Sequence, residues 1–259
     1  MLFQKGKKEV TKQMINGSKT MVKNNFDIII LLGRPASGKS EIIDYLKNTP
    51  VEERLERFHI GKFEEIDDFP MLWTWFEEDA ILEKILKKPR INTDKDGYFL
   101  YEYQWHLLIE RISLEYSKKL RDNQNYHNEY TTIIEFSRGS EHGGYKVAFP
   151  HLSDEILKKA GIIFIDVSYE ESKRKNRRRF NPERPDSILE HGLPDEKLER
   201  LYKEVDWAEI SAENPQYVTI KNYKIPYSIF DNEPEKTDKP EILGQHLEEV
   251  LNKLWKLRY

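Results

Sequence analysis

The 259-residue chain contains no cysteine, which excludes a disulfide framework, a thiolate metal site and a cysteine nucleophile. It also lacks a long hydrophobic run. The longest apolar stretch, Ile28 to Leu32 with Phe26 nearby, is far short of the roughly 20 residues that span a bilayer. The first 25 residues carry lysines but no apolar signal-like core, so a soluble cytoplasmic protein with no membrane partner is expected. Nor does one sign of charge dominate: 42 Lys and Arg against 46 Asp and Glu leave −4, which argues against a uniformly basic nucleic-acid binder. Charged residues still make up 34% of the chain, against roughly 25% in an ordinary domain. Cancelling totals of this size can hide strong local blocks.

The length suits one large domain, or a domain with an insertion. Residues 1–25 are polar, with Lys5, Lys7, Lys8, Lys12, Lys19 and Lys23 and few apolar anchors, and read as a flexible basic arm. From residue 26 to 259 the pattern is that of one domain. Phe26 to Leu32, Thr131 to Phe136, Ile162 to Val167 and Ile225 to Phe230 are β-branched, apolar runs suited to buried parallel strands. Phe58 to Ile66 is a weaker fifth candidate. Helical patterns over 39–47, 72–87, 98–120, 169–179, 195–209 and 241–255 lie among them. Strands alternating with helices predict an α/β fold: a five-stranded, mostly parallel sheet with helices on both faces, a three-layer sandwich.

One motif carries chemistry directly. Gly33-Arg34-Pro35-Ala36-Ser37-Gly38-Lys39-Ser40 satisfies G-x-x-x-x-G-K-[ST], between a predicted strand and a predicted helix, the context a phosphate-binding P-loop requires. A polyphosphate is wrapped by successive backbone N–H groups, and glycine lets the backbone approach without a Cβ clash. The helix that starts there adds its positive dipole end. Lys39 would contact the β- and γ-phosphates, and the Ser40 hydroxyl would ligate Mg²⁺. ATP and Mg²⁺ are therefore the expected cofactors of a P-loop NTPase core. No guanine-reading Asn-Lys-x-Asp element is present; Asn92-Thr93-Asp94-Lys95-Asp96 has the wrong order.

Four further places resemble the nucleoside and nucleotide kinase group of P-loop proteins. Ile66-Asp67-Asp68-Phe69 resembles the Asp-[Ser/Asp]-Phe element of uridine and nicotinamide riboside kinases, which implies that Asp67 or Asp68 takes the proton from the acceptor hydroxyl. Pro70 stands where an aromatic residue is usual, so the choice between the two stays open. An acidic turn opening a helix near Pro70 is the plainer reading. Glu135-Phe136-Ser137-Arg138 is similar to the Asp-Gly-x-x-Arg element of adenylate and thymidylate kinases. The similarity implies that Glu135 reaches Mg²⁺ through water and that Arg138 grips the acceptor side. Six of the seven residues from Lys173 to Arg179 are basic, on a helix that the capping box Ser168/Glu171 should start. They look like the arginine lid, about 173–192, in which Arg174, Arg177 and Arg178 share one face and close on ATP. The bland alternatives are a solvated helix face or a nucleic-acid patch. Residues 191–202 loosely match the stretch after the lid of deoxynucleoside kinases. Asp231-Asn232-Glu233-Pro234 falls where the group borders the adenine ring, and equally reads as a polar turn.

About 68–130 is then a helical acceptor-binding insertion, longer than one crossover helix requires. It holds Trp73, Trp75, Phe76, Tyr98, Phe99, Tyr101, Tyr103 and Trp105, able to sandwich a base. Leu72, Trp75, Phe76, Leu82 and Leu86 fall near helical spacing and favour a core-facing stripe. Acidic residues crowd the same region, Glu52, Glu53, Glu56, Glu64, Glu65, Glu77, Glu78, Asp79 and Glu83, which leans toward an unphosphorylated acceptor if they line the pocket. His106 and His142 read as polar packing, having no second ligand at zinc spacing. The resulting expectation is an ATP- and Mg²⁺-dependent kinase acting on a small-molecule hydroxyl or phosphate acceptor, a nucleoside or nucleotide first. The competing expectation is a P-loop ATPase or nucleotide-gated nucleic-acid-binding protein, including a polynucleotide-end kinase. Oligomeric state is not legible.

Overall fold

The structure is a computed structural model that describes residues 23–180, 183 and 192–258. Most of the expected arm (1–22), and residues 181, 182 and 184–191 of the expected lid, lie outside the described residues. In chain order the elements are β1 (Ile28–Gly33), α1 (Lys39–Asn48), α2 (Val51–Phe58), β2 (Lys62–Asp67), α3 (Phe69–Lys84), α4 (Tyr103–Asp122) and β3 (Tyr130–Phe136). They continue with α5 (Gly144–Ala148), α6 (Asp154–Lys159), β4 (Ala160–Asp166), α7 (Tyr169–Arg179), α8 (Asp195–Tyr202), α9 (Trp207–Ser211), β5 (Tyr217–Ile220), β6 (Tyr223–Asp231) and α10 (Pro240–Arg258).

The strands form one sheet in the order β2-β3-β1-β4-β6-β5. All neighbours run parallel except β5, which pairs antiparallel with β6. The sheet thus has six strands rather than the five expected. Tyr217 to Ile220 is only four residues long and pairs as the outer arm of a tight hairpin, so it lacks the continuous apolar run that marks the inner strands. Pro226 sits within β6, facing that hairpin partner rather than the parallel ladder.

β1 is buried along its whole length, and its alternating side chains feed two cores. Ile28, Ile30 and Leu32 pack with Ile109, Ile112 and Tyr116 of α4 and with Tyr145, Phe149 and Trp207. Ile29 and Leu31 pack on the other face with Ile42 and Leu46 of α1 and Leu247, Leu251 and Leu254 of α10. Each such side chain contributes about 1.5–3 kcal/mol of burial, which anchors the central strand on both faces. The C-terminal ends of β1, β2, β3 and β4 all open on one edge of this sheet, where open α/β folds build their sites. Among the described residues no helix is long and apolar enough to cross a membrane.

Two helical expectations are corrected. The single helix expected over 195–209 breaks into α8 and α9, because the Asp206 carboxylate turns to accept from the backbone N–H groups of Tyr145 (2.9 Å) and Lys146 (2.8 Å). The stripe on α3 does not face the main core: Asp79 is its only buried residue, and Leu86, past the helix end, is 56% exposed. Trp75 and Phe76 pack instead on Phe99, which meets Trp105 at 4.8 Å between ring centroids. The rings of the insertion form a small cluster of their own.

Candidate active site

The chain turns from β1 into α1 through residues 33–40. A Cβ on Gly33 would lie 2.7 Å from Ser37 Oγ and 2.8 Å from the Ile165 carbonyl, so only glycine fits. Gly38 sits in left-handed space at φ 120°, where a side chain would meet Asn232 Nδ2 at 2.7 Å. The loop's carbonyls are tied from outside. Tyr145, fully buried, places its hydroxyl 3.2 Å from the Gly33 N–H and 3.4 Å from the Gly33 carbonyl. Ser172 Oγ donates to the Pro35 carbonyl (2.7 Å) and Asn232 Nδ2 to the Ser37 carbonyl (2.7 Å). Within the loop the Ser37 N–H donates to the Arg34 carbonyl at 3.2 Å, a tight glycine-bearing turn of the kind from which anion nests are built. Lys39 Nζ bridges inward to the Arg34 carbonyl (3.1 Å) and Ser137 Oγ (2.9 Å). Ser37 Oγ is buried without a hydrogen-bond partner.

Arg34 does not aim its guanidinium at the cradle. It donates to the carbonyls of Val167 (2.8 Å), Lys203 (3.1 Å) and Tyr202 (3.2 Å), fastening the loop to the end of α8.

Asp67 ends β2 and is the Cα partner of Glu135 on β3, so the strand register itself sets two carboxylates side by side. Burial pushes both groups up from the usual carboxylate range. Glu135 and Asp68 add repulsion at Asp67, while the Lys39 ammonium pulls both groups back down. Asp67 Oδ1 also accepts from the Phe69 N–H at 2.9 Å, so the helix-opening turn is real and uses the same residue. Asp68 is held elsewhere: its Oδ2 lies 2.7 Å from Arg138 Nη1, with the two side chains 8% and 6% exposed. Arg138 is stacked 5.2 Å from the Trp105 ring centroid and donates to the Trp105 carbonyl at 3.2 Å. Asp67 is thus in register with Glu135 and Asp68 is paired with Arg138, although the Asp68 charge still acts on both Asp67 and Glu135.

This combination decides the fold: a glycine loop from the central strand into a helix, acids ending the next two strands, and β2-β3-β1-β4 in parallel. The chain has a P-loop kinase-like fold. No family model matches the sequence, and no curated protein is similar to it in sequence. The structure is similar to that of an unliganded sugar kinase from Janibacter sp. HTCC2649, at 11% identity and a TM-score of 0.38, over 90% of this chain and 99% of that one. It is also similar to Chaetomium thermophilum Kti12 in complex with ADP-AlF3, at 13% identity and a TM-score of 0.46, over 90% and 99% of the two chains. Shikimate kinase from Acinetobacter baumannii in complex with shikimate matches 68% of this chain and 76% of its own, at 15% identity and a TM-score of 0.32.

In this P-loop kinase-like frame the basic helix α7 does not present its arginines as one free face. Ser168 caps it, its Oγ accepting from the Glu171 N–H at 3.2 Å, but Glu233 rather than Glu171 accepts from the Ser168 N–H (2.8 Å). Arg174 and Arg178 converge on Glu235, in the turn after β6, at 2.9 and 2.6 Å. Lys175 completes the cluster at 3.1 Å. Arg177 turns the other way, to Asp195. The three cations hold the Glu235 carboxyl well below its usual range, to about 2, although burial works in the opposite direction. Arg179 is the basic residue of α7 whose charge acts on Glu135. Sequence reasoning named it only as part of the run.

Other expectations separate likewise. The acidic crowd does not line a common pocket: Glu53 pairs with Arg57, Glu64 with Lys119, Glu65 with Lys47 and Glu83 with Arg90. Asp79 is wholly internal, accepting from the backbone N–H groups of Ile91 (2.9 Å), Asn92 (3.0 Å) and Thr93 (2.6 Å). That removes the basis for reading acceptor charge from this segment. His106 stacks on His151 and His142 on Trp105. Among the described residues no group of three His, Asp or Glu is arranged to hold a metal ion. Tyr145, Ser172 and Glu235 were missed because isolated hydroxyl and carboxyl side chains carry no spacing signal, and Asn232, expected near the adenine ring or in a polar turn, instead ties the Ser37 carbonyl.

Proposed function

We propose that the protein is an ATP- and Mg²⁺-dependent kinase that transfers the γ-phosphoryl group to the hydroxyl of a small-molecule acceptor, with a nucleoside or nucleotide as first candidate. The observation that carries this reading is the placement of Asp67 beside Glu135 and within the field of Lys39, at the open end of a glycine-lined anion nest.

The residues present fit a Mg²⁺-nucleotide. Gly33 and Gly38 leave room that a Cβ would fill, and Ser37 Oγ is a buried hydroxyl awaiting a partner. The backbone of Gly33, Arg34, Pro35, Ala36, Ser37 and Gly38 with Lys39 would hold the phosphates, and Ser40 with Glu135 would hold the ion, the latter through water. Bound Mg²⁺ supplies neutralisation of charge on the β- and γ-phosphates. Asp67 orients the acceptor hydroxyl and takes its proton as the new O–P bond forms. Its raised affinity for a proton suits a general base working near neutral pH. Arg138, neutralised by Asp68 and fixed on Trp105, shapes the acceptor wall rather than offering a free charge. Arg174 and Arg178 reach the transferring group by exchanging Glu235 for phosphate, which guanidinium groups bind in the same bidentate way. Arg177, paired with Asp195, is a weaker candidate for nucleotide contact.

The test is a panel of ATP-consumption assays over nucleosides, nucleoside monophosphates, sugars, vitamins and oligonucleotide ends. Acceptor-dependent ADP release that disappears in Asp67→Asn supports the reading. ATP turnover indifferent to every acceptor and retained in Asp67→Asn contradicts it and favours the ATPase alternative.

A further inference from the structure

The phosphate loop is braced from three elements, and one of the braces also belongs to the acceptor side. Ser172 of α7 holds the Pro35 carbonyl, and Asn232, just after β6, holds the Ser37 carbonyl. The first residue of the loop, Gly33, is held by Tyr145 of α5. The Tyr145 hydroxyl accepts from the buried Gly33 N–H at 3.2 Å and lies 3.4 Å from the Gly33 carbonyl. α5 falls in the connection from β3 to β4, which opens with Ser137 and Arg138. The Tyr145 ring leaves its hydroxyl little freedom. Phe149 stacks on it at 5.6 Å between centroids, and Phe136, Phe164 and Trp207 flank it at 6.0, 6.3 and 6.3 Å. The backbone end is fixed as well, since Asp206 accepts from the Tyr145 N–H at 2.9 Å. Tyr145 is fully buried, and a phenylalanine would fill the same aromatic box without the cost of a desolvated hydroxyl. The contacts of that oxygen are what offset the cost.

Both halves of the site meet at this hydroxyl. Leu32 of β1 and Phe136 of β3 are Cα partners, so the chain leaves the sheet at Gly33 and at Ser137 from neighbouring strands. Burial pushes the Tyr145 hydroxyl up from its ordinary range, while the backbone N–H groups of Arg138 and Gly33 both pull it back. The oxygen therefore feels the two segments at once. Lys39 Nζ makes a second bridge between them, to Ser137 Oγ at 2.9 Å. We infer that Tyr145 is a positioning residue of the nucleotide site: its hydroxyl holds Gly33, where the phosphate loop begins, in fixed register with Ser137 and Arg138 of the acceptor wall. It acts through the backbone it braces. The inference rests on the kinase reading for the step that the register serves, and on the fold alone for the loop that is held. Reacting atoms must approach to about 3–3.5 Å, and a misplacement of about 1 Å costs about 10²-fold in rate. One bond at the junction of donor and acceptor segments is thus enough to be felt.

The test compares Tyr145→Phe with Tyr227→Phe in the full chain. Both rings are buried, and each change deletes one hydroxyl. Tyr227 gives its hydrogen bond to the Asn214 carbonyl at 3.1 Å, before β5 and outside the site. Each variant should lose about 2–4 °C in Tm. The affinity for Mg²⁺-ATP, read by titration calorimetry without acceptor, should weaken about 3–10-fold in Tyr145→Phe alone. Phosphorylation of the acceptor by that variant should fall about 10–100-fold, and Tyr227→Phe should match the parent in both readouts. An ATP affinity within twofold of the parent in Tyr145→Phe overturns the inference, as does an equal loss of affinity in the two variants. If the parent phosphorylates no acceptor of the panel, the kinase reading falls, and the affinity comparison alone decides whether Tyr145 holds the loop.

Discussion

Replacing Asp67 by Asn should abolish phosphoryl transfer and, at the same time, make the protein more stable. An aspartyl group in the unfolded chain titrates near 3.8; in the fold, burial and the adjacent Glu135 and Asp68 push Asp67 up to about 8. The folded state therefore gains nothing from ionisation between those values while the unfolded state does, so stability is lost as pH rises from 3.8 toward 8. The part of the shift accumulated by pH 7 corresponds to about 4 kcal/mol, at about 1.36 kcal/mol per unit. Sharing of the proton with Glu135 and the open side of the cleft cut this to about 2 kcal/mol. An amide keeps the acceptor for the Phe69 N–H and removes the charge. Asp67→Asn should accordingly raise Tm at pH 7 by about 4–8 °C, measured without nucleotide and in chelator. The gain should shrink to nothing near pH 4. Acceptor phosphorylation should fall about 10²–10⁴-fold. A variant equally stable at pH 4 and 7, or destabilised at pH 7, would refute the electrostatic argument.

Other outcomes follow from the same structure. Lys39→Ala should cost at least about 10² in ATP turnover with an unchanged circular-dichroism spectrum; a rate within threefold of the parent would contradict the loop's assignment. Arg138→Leu should destabilise by about 3–5 kcal/mol in urea titrations because it strands buried Asp68, whereas the double change Asp68→Leu/Arg138→Leu should cost less than the single one. His127 is buried, which lowers its ring to about 4. The unfolded chain thus takes up a proton that the folded one refuses between pH 6.5 and 4, and stability should fall by about 3 kcal/mol as pH drops through that window. His127→Gln should flatten that slope, and parallel pH profiles for parent and variant would show the argument wrong.

Much of the architecture is legible in the sequence because parallel strands buried on both faces cannot hide. The runs ending at Leu32, Phe136 and Val167 appear within two residues of their observed positions as β1, β3 and β4, and the glycine loop names its own neighbours. β5 was missed because a four-residue edge strand needs no continuous apolar run. The insertion misled for a different reason. The α3 periodicity is genuine, but the face it marks packs on the Phe99 ring and a carboxylate-pinned loop rather than on the sheet. Local pattern tells which face is apolar and not what covers it. The different surroundings of Asp67 and Asp68 were beyond the sequence because they depend on strand register: β2 sets Asp67 against Glu135, while Asp68 pairs with Arg138. The α7 arginines show the same limit, since helical spacing cannot reveal that Glu235, some sixty residues later, waits for two of them.

The central claim is tested most directly by the appearance of a phosphorylated acceptor, followed with ATP labelled in the γ-phosphoryl group and the acceptor panel, for the parent and Asp67→Asn side by side. The account predicts label transferred to one class of hydroxyl compound by the parent, with nucleotide still bound but transfer lost in the variant. Label released only as inorganic phosphate, at equal rates in both proteins and with every acceptor, would contradict it.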